Sequence, residues 1–186
     1  SIDPGKSSWF FDKKRAAMGA MADLGIHKTD LIQYLLDTTV AETRAFVGTL
    51  DKKDAAGNFI GVDDNAICIY TMNNGIVGTM TASWSYYGEE DNSTVLYGTE
   101  GIMKIYSNPK FAIEIITKDV EKVLYDIDKI QTNDNQTKSG IIDAFVESIV
   151  KNEEPVISGK SVLSAMRAVF ASIEASECGH TVKIRQ

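Results

Sequence analysis

Apolar residues recur at helical spacing near the start of the chain. From Arg15 to Leu36 they follow one another at steps of three and four residues, which predicts a helix over this segment. Gly19 and Gly25 lie inside it, and because glycine weakens a helix interior, we expect a break or close packing beside them. An irregular lead-in precedes this helix and contains an aromatic cluster, Trp9, Phe10 and Phe11.

Two further helices are predicted near the end of the chain. Ser139 is placed to cap the first of them, and Ser158 or Ser161 to cap the second. Gly179 is suited to end the second helix in a left-handed conformation. The apolar face of the first helix consists of Ile141, Ile142, Phe145, Val146 and Ile149.

Short apolar segments between these helices predict strands. Asn73, Asn74 and Gly75 form a turn sequence that suits positive φ, so residues 66–72 and 76–84 should pair as a hairpin. Consecutive strands on short turns favour an antiparallel sheet, and strands followed by helices favour an α+β fold with helices packed on one face of an open sheet. The remaining predicted strands cover residues 40–50, 94–98, 102–106, 111–117, 120–125 and 181–185.

The strand over residues 66–72 is apolar on both faces. Ile67 and Ile69 point to one side, and Cys68, Tyr70 and Met72 point to the other. Strands of this kind are usually covered on both sides. We expect the terminal helices to cover one face and another subunit or another domain to cover the other.

Composition restricts the class of protein. The chain has 186 residues, enough for one domain with a sizeable core, and its net charge of −7 disfavours nucleic acid and anionic membranes as partners. No apolar run approaches the ~20 residues of a membrane-spanning helix. No signal peptide is recognisable, and Cys68 and Cys178 are expected to be reduced thiols. We therefore predict a cytoplasmic protein.

Asp23 and His27 stand one helical turn apart in the first helix and share a face. A carboxylate beside an imidazole stabilises its protonated form and fixes its orientation, which suits a general base near neutral pH. A surface ion pair, or a buried histidine satisfied by its neighbour, explains the same spacing on structural grounds. The spacing leaves both interpretations open.

Other kinds of site find little support in the sequence. The two histidines and two cysteines show none of the close spacings of a zinc site. No Gly-x-Ser-x-Gly elbow occurs, and Ser83-Trp84-Ser85 lies in a predicted strand. Neither a Gly-x-Gly-x-x-Gly turn nor a P-loop is present. We therefore expect no metal and no nucleotide phosphate to be bound by this chain.

Four motifs together resemble one known family. The first, residues 9–36, resembles the opening of the C-terminal domain of the Gfo/Idh/MocA family of NAD(P)-dependent oxidoreductases and reads WFFDKKRAAMGAMADLGIHKTDLIQYLL. Asp23, Gly25, His27 and Asp30 match its Asp-x-Gly-x-His-x-x-Asp pattern in order and spacing. The hairpin, a strand turn and the closing helices of that domain are matched by NNGIVGTMTASWS, YGTEGIMKIY and FVESIVKNEEPVISGKSVLSAMRAVFASIEAS.

The resemblance implies that Asp23 and His27 belong to a catalytic set. In such enzymes a hydroxyl-bearing carbon gives a hydride to the nicotinamide while a base takes the hydroxyl proton. His27 would assist that proton transfer or bind the reacting hydroxyl, and Asp23 would orient both. Trp9 and Tyr86 would contact a sugar-like ligand, although ordinary packing explains these two rings equally well and is the favoured explanation for Trp84.

Two departures from the family pattern affect this interpretation. Ala17 and Met18 stand where two glycines are usual, so only Gly19 matches the glycine run. The nucleotide-binding fingerprint and the Glu-Lys-Pro motif with the family's catalytic lysine are absent, and we interpret Glu153-Glu154-Pro155, which lacks the lysine, as a loop. Because the chain also begins at Ser1 rather than at methionine, we expect residues 1–186 to be one domain of a longer enzyme whose dinucleotide-binding domain is missing here.

The resemblance thus implies the substrate-binding and oligomerisation domain of an NAD(P)-dependent dehydrogenase. Its substrate would be a sugar, polyol or related cyclic alcohol, and the domain would be inactive alone. NAD or NADP would be bound mainly by the missing domain, and a homodimer or tetramer would form through the apolar sheet face. The alternative is a non-enzymatic sheet module for assembly or ligand binding, in which Asp23 and His27 are only structural.

Overall fold

The computed structural model describes residues 9–126, 140–155 and 157–185. These residues divide into two compact units, one within Ser1–Tyr87 and Glu153–Gln186 and the other within Gly88–Asn152. Each unit contains one four-stranded antiparallel sheet. The predicted α+β class with open antiparallel strands is therefore confirmed, although the strands form two sheets where the sequence predicts one. Within the described ranges, no helix is long and apolar enough to cross a membrane.

The helix predicted over residues 15–36 is broken near its start. Ala17 ends the first short helix with a φ of 65°, and the chain then enters a π-helical turn before regular α-helix begins. The break lies beside Gly19, as glycine in a helix interior leads one to expect. The elements are a 3₁₀ turn, Trp9–Phe11, then α1, Lys13–Ala16, the π-helical turn, Met21–Gly25, and α2, Ile26–Leu36.

The first unit holds the hairpin that the sequence predicts. Thr71 pairs with Val77, and Gly75 takes the left-handed conformation of the turn, with a φ of 86°. The sheet has the strand order β3-β2-β1-β8, so the short last strand pairs with the first. Its strands are β1, Val40–Gly48, β2, Asn65–Met72, β3, Val77–Ser83, and β8, Val182–Lys183.

The two faces of this sheet differ in burial: Cys68 and Tyr70 on one face are fully buried, whereas Ile67 and Ile69 on the other are about half exposed. Helix α4, Gly159–Cys178, packs on β1, and the π-helical turn contacts β2 and β3. Beneath them lie Cys68 and Tyr70, and burial raises the pKa of both groups, so they stay neutral at physiological pH. The predicted helical cover of this face is therefore confirmed for the last helix, α4, but not for the helix before it, and the cover expected over Ile67 and Ile69 stays a prediction.

Polar side chains fix the helix layer to the sheet at a few points. The side-chain Oε1 of Gln33 accepts a hydrogen bond from the Val40 N–H at 3.2 Å, and its side-chain Nε2 donates to the Ser164 hydroxyl at 3.1 Å. The hydroxyls of Thr43 and Ser172 lie 3.1 Å apart. Because each of these bonds joins different elements, they specify how α2, β1 and α4 pack together.

The second unit consists of a consecutive meander with strand order β4-β5-β6-β7 and of helix α3. The sequence places α3 beside α4 on a common sheet, but the structure groups it with this second unit. Gly140, with a φ of 78°, immediately precedes α3, and the predicted cap Ser139 lies outside the described residues. The elements are β4, Thr94–Tyr97, β5, Gly101–Ile105, β6, Ile113–Thr117, β7, Lys122–Tyr125, and α3, Ile141–Lys151.

Helix α4 ends as the sequence predicts. Gly179 has a φ of 72°, and its N–H donates to the Ala175 carbonyl at 3.0 Å. The helix begins at Gly159, directly after Ser158, so that of the two serines considered for its cap Ser158 is the flanking one. Cys68 is buried and Cys178 exposed, and no disulfide joins them.

Candidate functional site

The start of the π-helical turn is built on Asp63, which the sequence analysis does not single out. Its carboxylate accepts hydrogen bonds from the Gly19 and Met21 N–H groups, each at 2.7 Å, and its carbonyl accepts one from Ala20 at 2.9 Å. A Cβ on Gly19 would stand 1.8 Å from that carbonyl oxygen, so only glycine allows this approach. Asp63 therefore caps the helix that carries Asp23.

The turn itself is packed tightly against the sheet. Gly25 is buried, and a Cβ added there would come within 2.8 Å of the Met21 sulfur. One turn later the Thr29 hydroxyl bonds the Gly25 carbonyl at 2.7 Å and lies 3.0 Å from the Tyr70 hydroxyl. π-helical turns often occur at functional sites, and this one has a fixed position on the sheet.

Asp23 is half-buried and has a defined partner. The Trp84 indole N–H donates to its Oδ2 at 3.0 Å. Trp84 is only 3% exposed, and it lies just beyond the last residue of β3 rather than within the strand. The sequence favours ordinary sheet packing for Trp84, but in the structure Trp84 lies in a separate cluster, where its indole contacts the candidate site directly.

His27 lies on the outer side of α2. It is exposed, as are Asp30 and Tyr34, and steps of three and four residues place these three side chains on one helix face. Among the described residues, His27 forms no ion pair with Asp23, and it is not a buried histidine. The described residues therefore show neither the surface ion pair nor the buried histidine that would explain the Asp23–His27 spacing on structural grounds.

The two aromatic candidates are both exposed. Trp9 is 47% exposed and stacks on Phe10 with ring centroids 4.2 Å apart. Phe10 in turn packs edge-on against Trp84, so Trp9 belongs to the same aromatic group as the partner of Asp23. Tyr86, 60% exposed, follows Trp84 by two positions. The structure thus joins Asp23 to Trp84 and Trp9 through contacts, and links Tyr86 to them only along the chain.

A second carboxylate, Asp64, organises the loop beneath this cluster. It accepts hydrogen bonds from the backbone N–H groups of Leu50, Asp51 and Lys52, at 2.6 to 2.9 Å, and from the Asn65 amide. Burial alone would raise the pKa of the Asp64 carboxyl, but these hydrogen bonds outweigh it and hold the pKa below its ordinary value. The backbone carbonyl of Asp64 also accepts a hydrogen bond from the backbone N–H of Trp84 at 2.9 Å, so the loop helps to fix Trp84.

The roles of Asp63, Asp64 and Trp84 cannot be predicted from the sequence, because they depend on contacts with residues elsewhere in the chain. Asp63 acts on residues 44 positions away, and Trp84 reaches Asp23 across 61 positions. The adjacent pair Asp63-Asp64 directly before an apolar strand is the only local indication, because buried carboxylates at such a point need donors.

The described residues can also be compared with the usual sites for a metal ion and for a dinucleotide. Within them, no group of three histidine, cysteine, aspartate or glutamate side chains could hold a metal ion. The strands within these ranges pair antiparallel, whereas dinucleotides bind at the ends of parallel strands beside a glycine-rich turn. The candidate residues therefore comprise one half-buried carboxylate held by Trp84 and one exposed imidazole four residues further along the chain.

Comparison with known proteins identifies relatives of the chain. Residues 2–104 match the model of the GFO/IDH/MocA C-terminal domain. Levoglucosan dehydrogenase of Pseudarthrobacter phenanthrenivorans is 29% identical over 119 residues, which cover 54% of this chain and 30% of that protein. The chain therefore spans only part of this curated relative.

Solved structures share the fold. An oxidoreductase domain protein from Kribbella flavida has a TM-score of 0.80 at 19% identity, over 99% of this chain and 56% of its own. A levoglucosan dehydrogenase in complex with NADH and levoglucosan has a TM-score of 0.80 at 21% identity, over 99% of this chain and 55% of its own. The chain thus corresponds to about half the length of these structures.

Proposed function

The chain belongs to the GFO/IDH/MocA family as a C-terminal domain, and on this basis we propose that it is the substrate-binding and oligomerisation domain of an NAD(P)-dependent dehydrogenase. The substrate is a sugar, a polyol or a related cyclic alcohol. The observation that carries the proposal is a half-buried carboxylate, Asp23, oriented by the Trp84 indole one helical turn from the exposed His27. Levoglucosan, the ligand in a structural relative, is an alcohol of this class.

We assign different roles to Asp23 and His27. Trp84 donates to Oδ2 of Asp23 and so fixes the direction in which the carboxylate is presented to a substrate hydroxyl. His27 is exposed and takes the proton of the reacting hydroxyl on a ring nitrogen. Asp23 orients the substrate hydroxyl for this proton transfer. A nicotinamide would supply the hydride acceptor, and we propose that it is bound mainly outside this chain.

Trp9 and Tyr86 complete the proposed site. Both rings are exposed, at 47% and 60%, and an aromatic face offers an apolar surface to the C–H side of a sugar ring. Trp9 is held by its stack on Phe10 rather than by the core, so it can adjust to a ligand. We propose that these rings hold the body of the substrate while Asp23 and His27 hold its reacting hydroxyl.

The open sheet face supports the oligomerisation part of the proposal. Phe46, Ile67 and Ile69 are 43%, 49% and 48% exposed, and Phe46 pairs with Ile67 across neighbouring strands. Contiguous exposed apolar surface of this kind commonly marks an interface. We propose that a second copy of the chain covers it in a homodimer or tetramer. Light scattering should report a dimer or larger, and Ile67→Lys should lower the mass to that of a monomer.

The test of the enzymatic role is His27→Ala in the dehydrogenase that contains this chain. Loss of a general base lowers turnover roughly 10²- to 10⁴-fold. His180→Ala is the matched control, because His180 is the only other histidine in the sequence and follows the end of α4, far along the chain from His27. Unchanged turnover of His27→Ala would instead favour a non-enzymatic sheet module.

A second measurement tests the proposed absence of cofactor binding. Titration of the chain alone with NADH, followed by tryptophan fluorescence, should show no saturable change, and the chain alone should not turn over levoglucosan. Saturable binding of NADH would contradict the assignment of the cofactor to another domain.

A further inference from the structure

We propose that Trp84 is a positioning residue, whose indole N–H fixes the orientation of the Asp23 carboxylate. The inference rests on the proposed function, because it takes Asp23 to be part of the substrate site. It assigns to Trp84 a role in turnover beyond its packing, and it predicts that Asp23 presents its oxygens to a ligand in one orientation.

The hydrogen bond between the two side chains has a fixed direction. Trp84 Nε1 lies 3.0 Å from Asp23 Oδ2, and an indole nitrogen can only donate. Trp84 is 3% exposed, so its N–H depends on Asp23 as the acceptor. Asp23 is only half-buried and sits in a π-helical turn, where its carboxylate would otherwise rotate towards solvent. The buried partner therefore sets the orientation of the accessible one.

Trp84 can do this because its own ring is held from several sides. Phe10 and Phe11 pack edge-on against it, with centroids 6.3 and 5.6 Å away. Its backbone N–H donates to the Asp64 carbonyl at 2.9 Å. Ile60 and Val62 complete the cluster around the ring. A residue locked in this way holds its hydrogen-bond partner to a narrow range of orientations.

This arrangement has a consequence for kinetics. With the Trp84 N–H bonded to Oδ2, the carboxylate presents Oδ1 and the second lone pair of Oδ2 to the substrate in one orientation. Without the indole N–H, the carboxylate still binds a hydroxyl but samples other orientations. Misplacement of about 1 Å can cost roughly 10²-fold in rate. We therefore expect loss of the N–H to lower kcat by about 10- to 100-fold, with KM changed much less.

The first test needs no enzymatic activity. The chain has two tryptophans, so ¹⁵N-tryptophan labelling gives two indole resonances, one for Trp84 and one for Trp9. Asp23→Ala should move the Trp84 indole resonance upfield and speed its hydrogen exchange, and leave Trp9 unchanged. Asp30→Ala, which removes another carboxylate from the same helix, is the matched control. A Trp84 resonance equally unmoved in both variants would overturn the proposal.

The second test separates the N–H from the bulk of the ring. In the dehydrogenase that contains this chain, Trp84 is replaced by its benzothiophene analogue, which keeps the bicyclic shape but carries sulfur in place of N–H. Trp84→Phe removes the same donor with some loss of packing. Phe11→Leu disturbs the packing around the ring and leaves the donor in place.

The kinetic outcomes decide between positioning and packing. Positioning predicts the full loss of kcat in the analogue and in Trp84→Phe, and a smaller loss in Phe11→Leu, which loosens the ring but keeps the donor. An analogue as active as wild type would overturn the proposal. The proposed function fails separately: it fails when His27→Ala retains full turnover, whatever the Trp84 variants do.

Discussion

The two units of the chain differ in how their sheets are buried. In the first unit Cys68, Tyr70 and Met80 are at most 2% exposed beneath a helix layer. In the described part of the second unit only Ala112, Glu114 and Ser148 are buried, and the strands β4–β7 are otherwise half-buried or exposed. The first unit is thus held by a packed core, and the second mainly by its strand ladder and partly covered apolar pairs.

The candidate site lies entirely in the first unit, and the difference explains why. Asp23 is oriented by a buried indole, and its turn is capped by Asp63 through backbone contacts that only a packed environment can hold. A site needs side chains held within a fraction of an ångström, which thinly covered strands do not provide. The predictions below test this contrast, and their expected effects decrease in size.

The largest effect is expected from Gly19→Ala in the first unit. Its Cβ would lie 1.8 Å from the Asp63 carbonyl oxygen, so either the cap or the turn must move. We expect a loss of about 4 kcal/mol or more in the free energy of unfolding, measured by urea denaturation.

The control for this substitution is Gly78→Ala in β3, where an added Cβ meets nothing within 4 Å. We expect that variant to stay within about 0.5 kcal/mol of the wild type. Equal stabilities of the two alanine variants would contradict the role given to Asp63.

These residues also show what the sequence can and cannot predict. The hairpin at Asn73–Gly75 and the helix break beside Gly19 follow from local backbone preferences, and both are predicted. The fold class follows from patterns along the chain, and the roles given to Asp23 and His27 stay a prediction. The partners Asp63 and Trp84 reach the site across 44 and 61 residues, and spacing carries no information about such contacts. The division into two sheets cannot be predicted for the same reason, because a short turn between two strands does not determine which sheet the next strand joins.

The second unit offers a comparable glycine. Gly101 has a φ of 155°, and a Cβ there would lie 2.2 Å from the Ile116 carbonyl oxygen in the neighbouring strand. We expect Gly101→Ala to cost about 3 kcal/mol, because the β5–β6 ladder must open.

Amide hydrogen exchange locates the damage from Gly101→Ala. If the second unit has its own weaker core, exchange should speed up in β4–β7 and stay unchanged in β1–β3. Faster exchange throughout both sheets would mean that the chain unfolds as the single domain that its sequence predicts, and the contrast between units would then not extend to stability.

Asp64→Asn tests the polar support of the site and its dependence on pH. The amide cannot replace the carboxylate as acceptor of four hydrogen bonds, so we expect a loss of about 2 kcal/mol at pH 7. Because folding lowers the pKa of Asp64, its contribution is complete above the unfolded pKa, near 4, and is lost as pH falls through the folded value. The difference between wild type and variant should therefore shrink below about pH 4.

That difference is obtained from urea denaturation at a series of pH values between neutral and acidic. Asp54→Asn serves as a comparison, because Asp54 accepts hydrogen bonds in an exposed turn of the same loop. A stability difference for Asp64→Asn that is the same at neutral and acidic pH would show that its charge is not what the backbone donors stabilise.

The smallest effects are expected from two ion pairs of the second unit, which differ in burial. Glu114, with its side chain 11% exposed, lies 3.4 Å from Lys122, and Glu100, 84% exposed, lies 2.9 Å from Lys118. Water screens the exposed pair, so Glu100→Gln should change stability by less than about 0.5 kcal/mol. Glu114→Gln leaves a half-covered lysine beside a neutral amide and should cost about 1 kcal/mol.

Thermal unfolding at low and high salt distinguishes the two ion pairs, because screening by salt should weaken the exposed pair first. Equal effects from both variants would mean that β6 is no better covered than the turn that holds Glu100, and that the second unit draws its stability from the strand ladder alone.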